Sequence, residues 1–500
     1  MKKFVGLIIT VSLIVATGFT AFAASEYAVP EDLNGCTFAI SDSNTTYEDQ
    51  ITEDIGSVNF VRYKNYFDTF QEVARGNADA SFIFESLAPS MCKTVGGLTF
   101  VKSEIKIPIV ANFSSKANWL KEAFNKYIAQ ALADGTIDKL ADYWVENQEE
   151  REEDYVDFSD LAGTNGNFTI AVAPVSFPME YQTGDNLAGF EIALLHDFCD
   201  KCGYIPEIIT PEYDGVLTGV TSGKYDMGLG EFGYTEEKAE GSNFSNVYYN
   251  DHFAYIVADN AEAAAGGNFI EKIKSSFERN FIRENRWKLL LEGLEATVLI
   301  TVLSVIFGGA AGFALYVLTY KKKKPATVIE AIYQNSECLP ILVIIMIFFY
   351  IIFGDSKLSG VTVSIIVFSL LFALTAFHII YSSVAAIPEG QNEAGMALGY
   401  TKRQTLFKIL LPQARTSIMS AMKISIVATL KSSSVVGYVA VQDITKAGDL
   451  IRSRTFDAFM PIIAVAAIYF ICAKIIISLI DKLLINREPD RGESFLKEVR

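Results

Sequence analysis

Histidine and cysteine are too few and too scattered in this sequence to build a metal centre. The three histidines stand at positions 196, 252 and 378, and the six cysteines lack the paired spacings of zinc sites. One Cys-x-x-Cys pair, Cys199 and Cys202, lies inside a helical pattern without a histidine at ligand spacing. A structural or incidental pair is favoured over redox chemistry, and cysteine pairing stays open. The sequence predicts no bound metal and no resident cofactor.

A nucleotide-binding loop is also missing. No Gly-x-x-x-x-Gly-Lys-Ser/Thr motif occurs, and the nearest stretch, 222–225, ends in Tyr225, whose side chain is unsuited to holding Mg²⁺. We find no set of nucleophile and base that would make an enzyme. Any ATP hydrolysis on which this chain depends must therefore come from another chain.

Positive charge is scarce in the first half of the chain. Residues 25–265 carry 41 Asp and Glu against 14 Lys and Arg, whereas residues 266–500 carry 18 against 26. A strongly acidic surface argues against binding to nucleic acid or to an anionic lipid surface. The long apolar runs lie outside this acidic part. The sequence thus predicts a soluble acidic half followed by a basic membrane half.

The first 24 residues have the pattern of a signal peptide. Lys2 and Lys3 precede an apolar core, and Ala-Phe-Ala at 21–23 is a typical cleavage site. An uncleaved anchor is the alternative, because the apolar run approaches spanning length. We expect residues 25–265 to lie outside the cytoplasm.

Five apolar runs predict five membrane spans within a domain at 291–485. The expected spans are 292–320, 332–353, 361–380, 418–441 and 459–484. Residues 266–290 mix aromatic and basic side chains near helical spacing, which predicts an amphipathic helix at the outer membrane surface. The lysines at 321–324 predict a cytoplasmic end for the first span, and the tail 486–500 is expected on the same side.

A polar stretch at 391–412 interrupts the apolar runs. Two short helices about a turn at Gly399 are expected, with the second helix ending at Pro412. Glu393, Ala394, Gly399 and Pro412 stand where ATP-binding-cassette importer permeases have their EAA loop, so segment 388–415 resembles that loop. The resemblance implies docking to an ABC ATPase subunit, in which Lys402 and Arg403 would take part. It also implies a permease homodimer or a paired permease, because five spans are half of a translocation path in that family.

Residues 25–148 and 167–265 alternate short strands with helices around an acidic linker at 149–166. This alternation predicts α/β lobes with a mainly parallel sheet. The stretches 76–80, 124–144, 189–191 and 223–226 resemble the lobes of polar-amino-acid solute-binding proteins, with the second-lobe-like segment first. The fold class implied is a two-lobed α/β ectodomain like that of periplasmic binding proteins, followed by an all-α five-span permease. One circularly permuted domain is preferred over two remnants of separate domains.

The same resemblance implies a solute site between the lobes. Its candidate residues are Thr45, Thr46 and Glu85 in one lobe and Phe177, Glu180, Glu231, Thr235 and Lys238 in the other. Lys238 stands where the binding-protein family has a carboxylate-binding arginine, and a lysine keeps the charge without the planar fork. Either the contacts have shifted by one residue, or the ligand is not an ordinary α-amino acid. The excess of acidic residues favours a cationic or zwitterionic solute.

Glu337 and Lys431 are ionisable residues that fall within the predicted spans. Charged groups at membrane depth are costly and tend to face a pathway or a partner. Glu337 and Lys431 are therefore candidate pathway residues, with a structural pairing between them as the alternative.

Together these features predict an ATP-driven importer at the cell membrane. The chain would be a multi-pass permease fused to an extracytoplasmic solute-binding domain, and it would take up an amino acid or a similar small polar solute. The alternative is a membrane receptor that binds such a ligand without transporting it.

Overall fold

The computed structural model describes residues 27–63, 66–148, 154–183, 186–239, 242–259, 269–455, 457 and 459–485. The predicted signal peptide at 1–24, the start of the acidic linker at 149–153 and the tail at 486–500 lie outside the described residues. An α/β domain at 27–259 precedes a helical domain at 269–485.

The strands of the α/β domain form an eight-stranded sheet and a small three-stranded sheet. They are β1 Thr37–Ser41, β2 Asn59–Tyr63, β3 Ala80–Phe84, β4 Leu98–Phe113, β5 Asn167–Val172, β6 Val175–Ser176, β7 Glu180–Thr183, β8 Asn186–Ala188, β9 Ile205–Ile209, β10 Met227–Gly233 and β11 Tyr249–Ala258. The large sheet has the order β2-β1-β3-β11-β4-β10-β5-β9, and the small one has the order β6-β7-β8. Parallel pairing at both ends of the large sheet flanks antiparallel pairing in its middle.

Two strands join the segments on either side of the acidic linker. Strand β4 comes from the first segment and pairs with β10 of the second, whereas β11 of the second pairs with β3 and β4 of the first. At 16 residues, β4 is long enough to serve both ends of the sheet. The linker at 149–166 therefore does not divide the large sheet into two separate halves. Strand β4 of the first segment and strand β11 of the second each pair with a strand of the other segment.

Helices from both segments, before and after the linker in the sequence, pack on the large sheet. They are α1 Glu48–Ile55, α2 Tyr66–Ala74, α3 Ala88–Val95, α4 Asn118–Ala133, α5 Thr136–Ala141, α6 Phe190–Cys202, α7 Tyr213–Thr221 and the short α8 Glu236–Ala239. Helix α4 of the first segment packs on α6 of the second through the ring of Phe124, whose centre lies 5.1 Å from that of Phe198. The cysteines of the described residues are free thiols.

Gly189 fixes the start of α6. Its φ of 112° lies in the region that favours glycine, and a Cβ at this position would stand 2.4 Å from the carbonyl oxygen of Met179. The backbone N–H of Glu191 donates to the same carbonyl at 2.9 Å. This close approach places Glu191 in the first turn of the helix and inside the domain.

The helical domain starts with α9 Phe269–Phe277 and a short π-helix, Glu278–Ile282, in the region predicted to be amphipathic. Its remaining helices are α10 Trp287–Thr319, α11 Lys323–Ser336, α12 Ile341–Met346 with its continuation Ile347–Ile352, α13 Gly360–Ala385, α14 Glu389–Ala397, α15 Lys402–Thr405 with its continuation Leu406–Leu410, α16 Leu411–Ser432 with its continuation Ser433–Val439, α17 Ile444–Thr455 and α18 Phe459–Ile485.

Three of these helices are long and apolar enough to cross a membrane on their own. The number reaches five when each of two bent pairs is counted as one span. The predicted span at 332–353 is not one straight helix, because α11 and α12 meet at an angle of 104°. Pro340 lies at this break, where it cannot continue a helix from the preceding residues. The count of five spans stays a prediction.

The α/β domain and the predicted EAA loop lie at opposite ends of α13. Phe353 and Ser356, just before this helix, contact the α/β domain, and the loop follows its other end. Helix α13 has 26 residues, which corresponds to about 39 Å and exceeds the ~30 Å of a bilayer's hydrocarbon core. Lys321 of the predicted cytoplasmic lysine group lies 3.9 Å from Glu389, at the loop end.

Candidate functional site

Four carboxyl side chains are buried together in the α/β domain. Two of them, Glu180 and Glu231, are predicted ligand-binding residues, and the structure adds Glu191 and Asp251. Their exposed fractions are 0% for Glu180 and Glu191, 2% for Asp251 and 6% for Glu231. Carboxylates are seldom buried without paired charges, so this buried acidic cluster is unusual for a domain core.

Glu231 is held in a strained backbone conformation at the centre of the buried acidic cluster. Its φ is 51°, which is uncommon for a residue with a side chain. The Glu231 backbone N–H donates to both carboxylate oxygens of Glu191 at 3.2 Å. The hydroxyl of Ser86 donates to the Glu231 carboxylate at 3.4 Å, and Tyr248 donates to Glu191 in a short hydrogen bond. The strained backbone of Glu231 thus occurs where Glu231 and Glu191 come together.

Glu180 has the fewest hydrogen bonds of the four buried carboxyl side chains. Ser176 and Glu191 lie beside its carboxyl, but neither carboxylate oxygen of Glu180 has a hydrogen-bond partner of normal geometry among the described residues. Burial, followed by the negative charges of Glu191 and Glu231, raises the pKa of Glu180 well above its ordinary value. A cation beside Glu180 would favour its ionised form and so lower the pKa that burial and the neighbouring charges raise.

The other carboxyls of the cluster also hold protons more tightly than usual. Burial raises the pKa of Glu231 well above its ordinary value, with Asp251 and Glu191 adding repulsion. Burial raises the pKa of Asp251 to about 6 and also raises that of Glu191, although hydrogen bonds from Tyr248 and the Glu231 backbone oppose the second shift. The cluster is therefore suited to a cationic group, which would favour its ionised form.

The remaining predicted ligand residues do not join this cluster. Glu85 pairs with Lys102 in a short ion pair and lies 3.6 Å from His252, so its charge is already compensated. The Thr45 hydroxyl donates to the carbonyl of Asp42 at 3.4 Å. Thr46 has a buried hydroxyl without a hydrogen-bond partner among the described residues.

Two predicted residues follow strand β10. Thr235 is half-buried just beyond the strand. Lys238 belongs to α8, and its side chain is not among the described parts of the structure. Its predicted contact with a ligand carboxylate stays a prediction.

Sequence reasoning missed Glu191 and Asp251 as site residues. A signal for Glu191 is present, since Gly189-Phe190-Glu191 marks the start of a helix and the first turn points back toward the preceding loop. Asp251 carries no such signal, because it lies in β11, a strand that the sequence did not predict. Its position depends on antiparallel pairing with residues more than a hundred positions away.

Phe177 lies at the edge of the α/β domain and contacts the membrane domain. The guanidinium carbon of Arg454, in α17, lies 4.0 Å from the centre of the Phe177 ring and 4.7 Å from that of Tyr181. The Phe177 ring itself packs edge-on against Tyr181 at 4.7 Å. Phe177 is therefore a platform for a cation from the membrane domain.

Further contacts hold the two domains together. Lys224 donates to the carbonyls of Phe353 and Ser356 at 2.9 and 2.8 Å, which satisfies the last carbonyls of the α12 region. The Tyr350 hydroxyl donates to the carbonyl of Gly215 at 3.1 Å. The α/β domain thus rests directly on the membrane domain of its own chain.

The predicted EAA loop has an exposed surface. Glu393, Ala394, Gly399, Lys402, Arg403 and Pro412 are all exposed. Gly399 has a φ of 83°, which confirms the predicted glycine turn after the first short helix. The predicted end at Pro412 is wrong, because Pro412 lies in the first turn of α16, where proline is tolerated. The second short helix therefore continues into a long one.

The two candidate pathway residues have different surroundings. Glu337 stands at the α11–α12 break and lines a cavity of about 290 Å³ that also contains Ser425 and Thr429. Lys431 is exposed near the end of α16. The ion pairs of the described residues do not include one between Glu337 and Lys431, and no group of three metal-ligating side chains is found in that part of the chain.

Comparison with known proteins identifies the helical domain. Residues 300–488 match the family described as the binding-protein-dependent transport system inner membrane component. The L-cystine transport system permease protein TcyB of Bacillus subtilis (strain 168) is 27% identical over 214 residues, which cover 42% of this chain and 91% of that protein. The glutamate transport system permease protein GluD of Corynebacterium glutamicum is 34% identical over 173 residues, covering 32% and 62%. The arginine transport system permease protein ArtQ of Bacillus subtilis is 28% identical over 193 residues, covering 37% and 87%.

The C-terminal part of the chain is therefore a membrane permease domain of the ABC importer type. More particularly, residues 300–488 are similar to the inner membrane components of binding-protein-dependent transport systems. The α/β domain that precedes it fits a binding-protein-like fold.

Proposed function

We propose that this chain is the permease of an ATP-driven amino-acid importer and carries its own solute-binding domain. The observation on which the proposal rests is the family match at 300–488, together with relatives whose names describe transport of cystine, glutamate and arginine. A transporter of this type needs a part that captures solute, and the α/β domain is fused directly to the permease.

The arrangement of the α/β domain supports a role in capture. Its two segments share one large sheet, which favours a single domain over two remnants. The buried acidic cluster of Glu180, Glu191, Glu231 and Asp251 supports a solute with a cationic group, because ionised carboxylates become favourable beside a cation. We therefore propose an amino acid whose ammonium or basic side chain reaches this cluster.

The two ends of the permease suit two different partners. The α/β domain would lie on the extracytoplasmic side, and the exposed EAA loop would lie in the cytoplasm and dock to a separate ATPase subunit. Lysines at 321–324 near the loop end agree with this orientation. A second permease copy or a paired permease would complete the path beside Glu337 and Lys431.

Uptake into proteoliposomes tests this function. The full-length chain would be purified with the ATPase that accompanies it, reconstituted and offered labelled L-arginine, L-cystine and L-glutamate with ATP. ATP-dependent accumulation of at least one amino acid is expected. Binding of an amino acid without accumulation, despite an active ATPase, would instead favour a receptor.

A further inference from the structure

A cavity lies at the loop end of the membrane domain, where four helices meet. Helices α10 and α13 end beside it, and α11 and α14 begin beside it. Its volume is about 230 Å³, well above the ~10–15 Å³ needed by one water molecule. Three consecutive lysines line it, and we call it the lysine cavity: Lys321, Lys322 and Lys323.

The lysine cavity carries a positive charge. The carboxylate among its described lining residues is that of Glu389, which lies 3.9 Å from Lys321. Lys322 and Lys323 take part in no ion pair with any other described residue, so two positive charges stay uncompensated. Because two helices end here and two begin, the partial charges of the helix ends oppose one another, and the lysines decide the sign. The cavity is therefore suited to an anion.

Two buried polar atoms belong to residues in the wall of the lysine cavity. The side-chain carbonyl oxygen of Asn392 and the hydroxyl of Tyr320 have no hydrogen-bond partner among the described residues. Asn392 is 8% exposed. Buried polar groups are nearly always hydrogen-bonded, so these two atoms mark where a ligand can bind. The hydroxyl can donate to an anionic oxygen, whereas the carbonyl oxygen needs an O–H or N–H group from the ligand.

Exposed apolar side chains border the lysine cavity on two of its helices. Leu318, near the end of α10, and Val328 and Ile332 of α11 are each at least half exposed. Helix α10 is long and apolar enough to cross a membrane, so its exposed apolar side chains lie against acyl chains. A basic cavity at the end of a membrane span, beside such a surface, fits a lipid whose headgroup is anionic.

We propose that the lysine cavity binds the headgroup of an anionic phospholipid that carries hydroxyl groups, as phosphatidylglycerol does. Lys322 and Lys323 hold the phosphate, and the Tyr320 hydroxyl donates to it. The Asn392 carbonyl oxygen accepts a hydrogen bond from a headgroup hydroxyl. The bound headgroup contacts the end of α10 and the first helix of the predicted EAA loop at once. Placing this lipid in the cytoplasmic leaflet rests on the proposed function, whereas its binding does not.

Lipid retention tests the site in the full-length chain with its ATPase. The complex would be reconstituted in discs that contain phosphatidylcholine, phosphatidylglycerol and phosphatidylmethanol in equal parts, and native mass spectrometry would identify the lipids that stay bound. Phosphatidylmethanol is anionic but has no headgroup hydroxyl. Phosphatidylglycerol should be retained most and phosphatidylcholine least. Equal retention of the three lipids would overturn the proposal.

Lys323→Gln should reduce the preference for phosphatidylglycerol over phosphatidylcholine by about tenfold, because a charge-assisted contact with the phosphate is lost. Lys324→Gln is the matched control, since Lys324 is the next lysine in the sequence and is not among the residues that line the cavity. It should change the preference much less. An equal loss in the two variants would show that any lysine near the membrane surface attracts the lipid, and would overturn the proposal.

Two further variants separate the polar contacts from the charge. Tyr320→Phe removes only the hydroxyl and should lower the preference for both anionic lipids over phosphatidylcholine by about fivefold. Asn392→Leu keeps the size of the side chain and should abolish the preference for phosphatidylglycerol over phosphatidylmethanol. Each ratio is measured within one sample, so a lower yield of folded protein does not affect it. Unchanged ratios in both variants would contradict the proposed contacts.

A soluble phosphate compound and an acidic side chain of the ATPase are other sources of an anion. Glycerol 3-phosphate, offered to the complex in discs of phosphatidylcholine, should not be retained. Its retention, if Lys323→Gln abolishes it, would assign the cavity to a soluble anion and overturn the proposal. Phosphatidylglycerol should be retained equally with and without the ATPase, and its loss on ATPase binding would assign the cavity to that subunit.

The retention experiment needs neither amino acid nor ATP, so its outcome is independent of transport. Normal retention of phosphatidylglycerol by a chain that accumulates no amino acid would contradict only the proposed function. Normal uptake by a chain that shows no preference among the three lipids would contradict only the lipid site.

Discussion

The backbone N–H of Glu231 donates to both carboxylate oxygens of Glu191, at 3.2 Å each. Glu231 adopts a φ of 51° to make this contact, and its own carboxyl is buried beside two others. This hydrogen bond opposes the rise that burial causes in the pKa of Glu191 without cancelling it, so all four carboxyls of the cluster are suited to hold protons or to meet a cation.

The solute-free α/β domain is expected to be most stable at mildly acidic pH. The pKa values of Asp251, Glu180 and Glu231 are raised, so the folded domain keeps protons that the unfolded chain releases above about pH 4. Stability should fall as pH rises from about 4 to 6 for Asp251 and further at higher pH for the glutamates, by ~1.4 kcal/mol per pH unit for each such proton.

Tryptophan fluorescence during thermal unfolding of the full-length variant Trp287→Phe provides the measurement, because the remaining tryptophans, Trp119 and Trp144, both lie in the α/β domain. The unfolding midpoint should be higher at pH 5 than at pH 8, and a saturating cationic solute should reduce the difference. Asp134, whose pKa is lowered by hydrogen bonds from Thr136, titrates below this range and does not reverse the sign. A midpoint that rises from pH 5 to pH 8 without solute would contradict the assignment.

Glu231→Gln should raise the stability of the protein and at the same time lower its affinity for a cationic solute. The amide removes a carboxyl whose ionisation is unfavourable, so the variant should be more stable than the unmodified protein at pH 8, by about 1 kcal/mol or more. Affinity for L-arginine should fall about tenfold, because a buried charge partner is lost. Glu72→Gln is the matched control, since Glu72 is paired with Arg75 outside the cluster. Equal affinity loss in both variants, measured by calorimetry, would argue against the cluster as the site.

Gly189→Ala should destabilise the α/β domain through a steric clash. A Cβ would meet the Met179 carbonyl oxygen at 2.4 Å, and the φ of 112° adds strain. A loss of about 2–4 kcal/mol is expected from the two effects together. Gly135→Ala isolates the strain, because Gly135 has a φ of 74° and open space around it. Comparable unfolding midpoints for the two variants would show that the close approach of the Met179 carbonyl is unimportant.

Much of the fold could be predicted from local patterns, whereas the centre of the sheet could not. The alternation of short strands and helices predicted for 25–148 and 167–265 is confirmed, for example in the strands Thr37–Ser41, Asn59–Tyr63 and Ala80–Phe84 and the helix Phe190–Cys202, since apolar spacing and glycine turns determine these elements locally. Strands β4 and β11 had no counterpart among the predicted elements. Strand β4 contains Lys102 and Lys106 on its solvated side, which obscures its apolar run, and its pairing joins residues far apart in the chain.

The candidate site was predictable only in part for the same reason. Motifs indicate Phe177, Glu180 and Glu231, and the structure brings the two glutamates together. Arg454 was not among the candidate site residues, because nothing local to it indicates that Phe177 lies within 4.0 Å. Contacts between the domains depend on how they pack, and spacing along the chain does not contain that information.

Gly395→Ala should weaken assembly with the ATPase by displacing the first helix of the EAA loop. Gly395 is buried where α14 crosses the next helix, and a Cβ would stand 2.7 Å from Thr405 Cγ2 and 2.9 Å from Ile409 Cδ1. Thr405 is fully buried and β-branched, so it cannot move aside at low cost. The helices must separate, at a cost of about 1–3 kcal/mol.

The separation should lower the amount of ATPase that copurifies with the chain and the rate of ATP-dependent uptake, while leaving solute binding to the α/β domain unchanged. Gly390→Ala is the matched control in the same helix, because among the described residues no atom outside its chain neighbours and its own helical turns lies within 4 Å of the added methyl group, and alanine favours helix by ~1 kcal/mol. It should retain full assembly. If Gly395→Ala copurifies with as much ATPase as Gly390→Ala, the close contact between the two helices does not shape the docking surface, and the exposed side chains of Lys402 and Arg403 must position the ATPase without it.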